Sequence, residues 1–204
     1  MPPSNTARAF PVQRAGPRGA HINIKSGSHA IGPENGKLVI KSYKDGMGAK
    51  LAHDLVLTAT RWSGTLNCDG DNPAASSASL SIDAQSIEIL EAVGGMKSLS
   101  DKDRRDIAKN IDDKVLETGK YPQLSFESTS VSGSAPNFNA AGNMTIKGTS
   151  RPVNVALNVN GSQVSGTTSI SQKDFGIKPF SAMMGAIKLR DDVDFELTVD
   201  LPSA

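Results

Sequence analysis

The chain has 204 residues, a formal net charge of +1 and a hydrophobic fraction of 37%. That length suits one domain with a core that is stable without staples. The near-neutral charge argues against binding nucleic acid through its phosphates, the lone Cys68 excludes an internal disulfide, and no run reaches the roughly 18 apolar residues of a membrane-spanning helix.

Residues 1–35 read as a flexible tail rich in Pro, Gly, Ser and Asn, with no lasting period. Arg8, Arg14, Arg18 and Lys25 meet no acid before Glu34, so the tail is mildly basic. It is either a solvated leader or a weak attraction to anionic lipid. His21 and His29 have no partner residues in it. No apolar leader stretch follows the first residues. The expected compartment is the cytoplasm, or the periplasm or exterior if a signal has been removed.

A domain is expected over residues 36–204. Residues 38–43 read as a first strand, broken by Gly46 and Gly48. Residues 53–66 read as a long second strand. It sets His53, Leu55, Leu57 and Ala59 on one face and Asp54, Val56, Thr58 and Thr60 on the other. Asp54 therefore points away from His53, which counts against a catalytic pair. Adjacent Arg61 and Trp62 face opposite sides, and Trp62 reads as a packing anchor. Asp69-Gly70-Asp71-Asn72-Pro73 is a turn; it lacks the glutamate that closes a calcium loop. Residues 79–89 form a third strand with Leu80 and Ile82 alternating.

Ser100 then opens a helix, with Asp103 in the capping-box position. Ile107, Ile111 and Val115 recur every four residues and form one narrow apolar stripe, as in a flap that packs by one edge. Lys109 and Asp113 can pair one turn apart. Beyond Pro122 the chain returns to strands: a fourth led by Leu124-Ser125-Phe126, a fifth over 140–147, a sixth alternating from Val153 to Val159, a seventh over 164–171 and a last alternating from Val193 to Leu201. The acids Asp191, Asp192 and Asp194 read as a turn and solvent face. The fold class is mainly β: an antiparallel lipocalin-like β-barrel of about eight strands, with one α-helix between the third and fourth. Alternation alone describes a two-sheet sandwich with a solid core equally well.

One ordered set of features resembles the YceI-like family. It runs from the helix through the strand entry Lys120-Tyr121-Pro122-Gln123 and the strand Gly142-Asn143-Met144-Thr145-Ile146 to Thr149-Ser150-Arg151-Pro152-Val153 and Lys173-Asp174-Phe175-Gly176-Ile177. The resemblance covers roughly residues 37–201. It implies a hollow barrel that carries an isoprenoid or fatty-acyl lipid without enzymatic chemistry or a cofactor. The front third fits less well: Ala52-His53-Asp54-Leu55 and Thr60-Arg61-Trp62-Ser63 stand where better-known relatives carry a glycine- and aromatic-rich strand.

Under this reading the cavity wall is formed by Leu55, Leu57, Leu80 and Ile82, then by Met144, Ile146, Val155 and Leu157, and finally by Val193, Phe195 and Leu197. His53 is a candidate for a polar head group near one end, although a buried structural histidine reads the same way. The segment 172–187 is rich in large apolar residues, and it contributes Phe175, Lys178, Phe180 and Met183 as candidates for an adaptable mouth. Phe175, Phe180 and the methionines could equally plug one end as core. No G-x-S-x-G, dinucleotide fingerprint or metal spacing occurs. Two other readings stand beside the carrier: a solid β-domain that binds protein partners or serves in stress response, and an enzyme built on His53. Open strand edges and an apolar mouth would permit a homodimer.

Overall fold

A computed structural model describes residues 22–182, 184 and 186–204. The features assigned to Arg8, Arg14, Arg18, His21 and Met183 lie outside the described residues. Among the described residues, twelve strands form one antiparallel sheet: β1 (Gly27–Ile31), β2 (Gly36–Asp45), β3 (His53–Ala59), β4 (Trp62–Cys68), β5 (Ser77–Asp83), β6 (Ile87–Gly94), β7 (Gln123–Ser134), β8 (Asn137–Ile146), β9 (Thr149–Asn160), β10 (Gln163–Ser171), β11 (Ser181–Ala182) and β12 (Ile187–Asp200). The helix α1 (Asp101–Asn110) lies between β6 and β7. Eleven strands follow the path β1-β4-β5-β7-β8-β9-β10-β12-β2-β3-β6, with β11 at the side of β12.

The count of eight strands, with the helix after the third, is thereby corrected; the mainly β, antiparallel class stands, and the expected barrel is a half-barrel. The predicted second strand is broken at 60–61 into β3 and β4, and the third is broken by Ala84–Ser86 into β5 and β6. The predicted first strand is only the second half of a bent pair. Its first half, β1, lies in the stretch read as tail, where His29 is buried and donates from Nε2 to the Lys25 carbonyl at 2.6 Å. The bends are matched: β2 pairs β3 and β3 pairs β6, while β1 pairs β4 and β4 pairs β5. The sheet is thus curled into a half-barrel. Its terminal strands β1 and β6 do not pair with each other among the described residues, and backbone continuity through the bends carries the curvature.

One serine hydroxyl locks two of these bends together. Ser86 is fully buried. Its Oγ accepts from the Arg61 backbone N–H at 3.0 Å and lies 2.8 Å from the Asp83 carbonyl, to which it donates. The Ser86 carbonyl in turn accepts from the backbone N–H and the hydroxyl of Thr60, at 3.0 and 3.2 Å. Outside, the Arg61 guanidinium meets Asp83 at 2.8 Å and holds that carboxyl below its ordinary range. Trp62, buried as expected, packs under the same corner.

Strand alternation then sorts the side chains. Leu38, Ile40, Leu55, Leu57, Phe126, Ile146 and Val193 point inward and are buried. On the outer face Lys41 meets Glu196 at 2.6 Å, and the Tyr43 hydroxyl donates to Asp194 at 2.6 Å. The acids at 191–194 are therefore part of β12 and not a turn. A bulge between Leu189 and Val193 turns Asp191 toward Ser171, whose hydroxyl donates to it at 2.6 Å. At Gly142 the strands approach too closely for a side chain: a Cβ there would lie 2.4 Å from the Glu127 carbonyl and 2.6 Å from the Phe126 ring.

The helix matches its sequence signals. Ser100 Oγ accepts from the Asp103 N–H at 3.2 Å, the Asp103 carboxylate accepts from the Ser100 N–H at 2.9 Å, and Lys109 pairs with Asp113 at 3.2 Å. A wider π-helical turn, Ile111–Leu116, continues it to Glu117, whose left-handed φ of 51° ends the helix. Glu117 forms an ion pair with Lys147.

Two outcomes follow from these contacts. Ser86→Ala leaves the Arg61 N–H buried without its partner, so urea unfolding should show a loss of about 1–3 kcal/mol at unchanged m-value. The Tyr43 phenol is pushed up to about 12, first by its hydrogen bond to Asp194 and then by burial and that carboxylate's charge. Its stabilising contribution is therefore full below the unfolded value of 10.0 and is lost as pH rises through about 12. Ultraviolet titration should show one phenol ionising near that pH, absent in Tyr43→Phe.

Candidate functional site: an apolar cavity under the helix

The interior is not filled. A cavity of about 790 Å³ lies between the sheet and the helical segment. Ile40, Leu55 and Leu57 line it from β2 and β3, and Ile146, Ile170, Val193 and Phe195 line it from β8, β10 and β12. The opposite wall is the helical stripe Ile107, Ile111 and Val115, with Leu116. The first three are only partly buried although they face inward, because they border empty space and not packed neighbours. This volume is within the ordinary range for small-molecule sites, about 300–1,000 Å³.

Polar groups also border the cavity: His53, Lys97 and Ser98 form one patch at the polar end, and Asp103, Asp106 and Asn110 add polar groups along the helix. Their hydrogen-bonding capacity is partly spent within the protein. His53 Nε2 lies 3.0 Å from the Lys97 carbonyl, Asp106 meets Lys102 at 2.7 Å, and Asp103 caps the helix. Asp54 faces the other side of β3, accepting from the Lys44 N–H at 2.8 Å, so His53 has no carboxylate to orient it. Deeper, Gln172 donates to the Arg190 carbonyl at 2.9 Å. Burial pushes the Cys68 thiol up, away from the thiolate form that redox chemistry uses. Among the described residues no cluster of His, Cys, Asp and Glu could hold a metal ion.

A second apolar chamber of about 100 Å³ lies deeper in the half-barrel. Leu80, Ile82, Met144, Val155, Leu157 and Leu197 line it. Leu124 and Phe195 border both spaces and form the partition between them.

The residues expected to line one cavity are thus divided. His53, Leu55, Leu57, Ile146, Phe180, Val193 and Phe195 border the large cavity, and the other strand positions border the small chamber. The mouth candidates are divided as well, and Phe175 takes the core place that was its other reading. Phe175 is core, only 2% exposed, because the short 3-10 turn Gln172–Phe175 tucks its ring inward. Lys178 is exposed and lies outside the cavity lining. The sequence reading assigned no site role to Ile107, Ile111 and Val115. Their four-residue spacing was the available signal, and only the fold shows what the stripe faces.

The YceI-like domain family profile matches residues 37–201. A UPF0312 protein of Yersinia enterocolitica is 28% identical over 141 residues, which is 69% of this chain and 62% of that protein. A UPF0312 protein of Yersinia pestis is 27% identical over the same shares. The match therefore spans less than two thirds of these relatives' length. Among solved structures, Burkholderia cenocepacia BcnA superposes with a TM-score of 0.63 at 19% identity, covering 80% of this chain and 94% of BcnA. A mutant CJ YCEI protein superposes with a TM-score of 0.56 at 13% identity, covering 72% and 84%. At such identities these structures speak for the fold alone. With the family profile spanning nearly all of the curled sheet and its helix, the chain belongs to the YceI-like domain family.

Proposed function

We propose that the protein binds an amphiphilic lipid in the large cavity, as a carrier or store, without covalent chemistry. A polyisoprenoid is the favoured cargo class. The observation that carries this reading is the cavity's lining: mostly aliphatic walls, with a small set of polar groups that includes the neighbouring His53, Lys97 and Ser98. A hydrocarbon chain gains about 0.8 kcal/mol for each buried methylene and needs no hydrogen bond inside. Its head group stays at the polar end, near His53 and Ser98. The helical wall offers the cavity a narrow aliphatic stripe, Ile107, Ile111 and Val115.

The direct test is organic extraction of the purified protein followed by mass spectrometry, with added isoprenoid and fatty acid as uptake probes. A stoichiometric polyprenyl or acyl compound is expected. An empty protein that takes up neither probe overturns the proposal. Leu57→Trp places an indole in the cavity and should weaken uptake at least tenfold while the fold, read by circular dichroism, persists. Phe195→Ala removes part of the partition and should move the preferred chain length upward; an unchanged length preference would show that the small chamber receives no ligand.

A further inference from the structure

The loops around the cavity's polar end carry a second pattern. Three segments meet there. The first, 45–52, is tied to the third by a hydrogen bond from the Gly48 N–H to the Ala186 carbonyl at 2.8 Å. The second, 94–99, is tied to β3 by His53 and the Lys97 carbonyl at 3.0 Å. The third, 176–188, returns to β12 through the Leu189 N–H and the Phe180 carbonyl at 3.0 Å. Leu51, Met96 and Phe180 border the cavity, so the loops surround its opening.

Their tips are apolar and exposed. Met47 is 100% exposed, Met96 78% and Met184 108%, and Leu51 and Phe180 are also open to solvent. Large apolar groups clustered this way on a surface mark an interaction site. The charge in the same three segments is one-sided: Lys50, Lys97, Lys178 and Lys188 stand against one carboxylate, Asp45. None of these lysines takes part in an ion pair among the described residues. Asp103 and Asp106 of the helix border the same cavity, with Asp106 paired to Lys102, so the surplus of positive charge belongs to the three loops themselves and not to the whole rim.

We propose that this collar docks on an anionic membrane surface, with the methionine tips entering the interface and the lysines meeting lipid phosphates. Apolar side chains interleaved with free lysines match an interface whose outer layer is negative and whose next layer is hydrocarbon. Docked this way, the cavity would open onto the bilayer, and a chain could pass between the two without crossing water. The charge part of the attraction acts within a Debye length and weakens with salt.

Vesicle co-sedimentation tests this without any cargo, so its result is independent of what the cavity holds. The wild-type protein should pellet with vesicles of phosphatidylcholine containing one part phosphatidylglycerol in about three, release at high salt, and stay in solution with phosphatidylcholine alone. Both K50E/K178E/K188E and M47S/M184S should lower binding to the anionic vesicles at least tenfold with an unchanged circular dichroism spectrum. The second pair lies outside the cavity wall, so its uptake of isoprenoid from detergent solution should match wild type. Wild-type protein that fails to pellet, or pelleting that neither variant reduces, overturns the proposal. A concentration-dependent dimer that M47S/M184S abolishes, without vesicle binding, would assign the collar to a second copy of the chain and overturn it as well.

Discussion

The buried hydroxyl of Ser86 holds two bends in register, and much of the architecture depends on those bends. A strand that simply ran on from β3 into β4 would carry the sheet outward as a flat edge. Turning it at 60–61, beside the matching turn at Ala84–Ser86, makes the sheet curl and gives it an inside. The polar groups freed by breaking two strands at once would be costly if left bare. Ser86, Thr60 and Asp83 satisfy them locally, so the corner is closed in its hydrogen bonds although the sheet itself is open between β1 and β6.

The curl alone would produce a solid core if the inward residues were bulky. The inward positions are mostly Leu, Ile and Val, with Trp62, Phe126, Phe175 and Phe195 the bulky exceptions. Aliphatic side chains from the two walls fail to meet across the space below the helix. An unfilled apolar cavity forfeits dispersion contacts and lowers stability. Such a loss is tolerated where function requires the space. The same cost explains the affinity expected for a hydrocarbon, which would restore those contacts.

The helix is the other half of the enclosure. Its cap and its surface pairs, Lys102 with Asp106 and Lys109 with Asp113, stabilise it locally, so it does not need a broad buried face. It can therefore offer a narrow stripe to an empty space. The connections at that end also bring polar groups to the rim, with the apolar interior beyond them. An amphiphile would be read there by one end and held by the other.

The helix, most of the strand stretches and their inward faces were legible in the sequence. Alternation from Val153 to Val159 and from Val193 to Leu201, the Ser100–Asp103 cap and the spacing of Ile107, Ile111 and Val115 are local signals, each written within a few residues. The sequence also placed Leu55, Leu57 and Val193 on inward faces, because the period of a strand fixes side-chain direction. The strand count escaped it, since the breaks at 60–61 and Ala84–Ser86 are stabilised by contacts between segments more than 20 residues apart, and no local pattern announces them. β1 escaped it too: its five residues gain strand order from pairing with β4. That the interior is hollow, that Leu124 and Phe195 divide it, and that Phe175 packs as core while Phe180 reaches the opening follows from the assembled fold alone. Periodicity states which way a side chain points; whether anything stands opposite it is a property of the assembled walls.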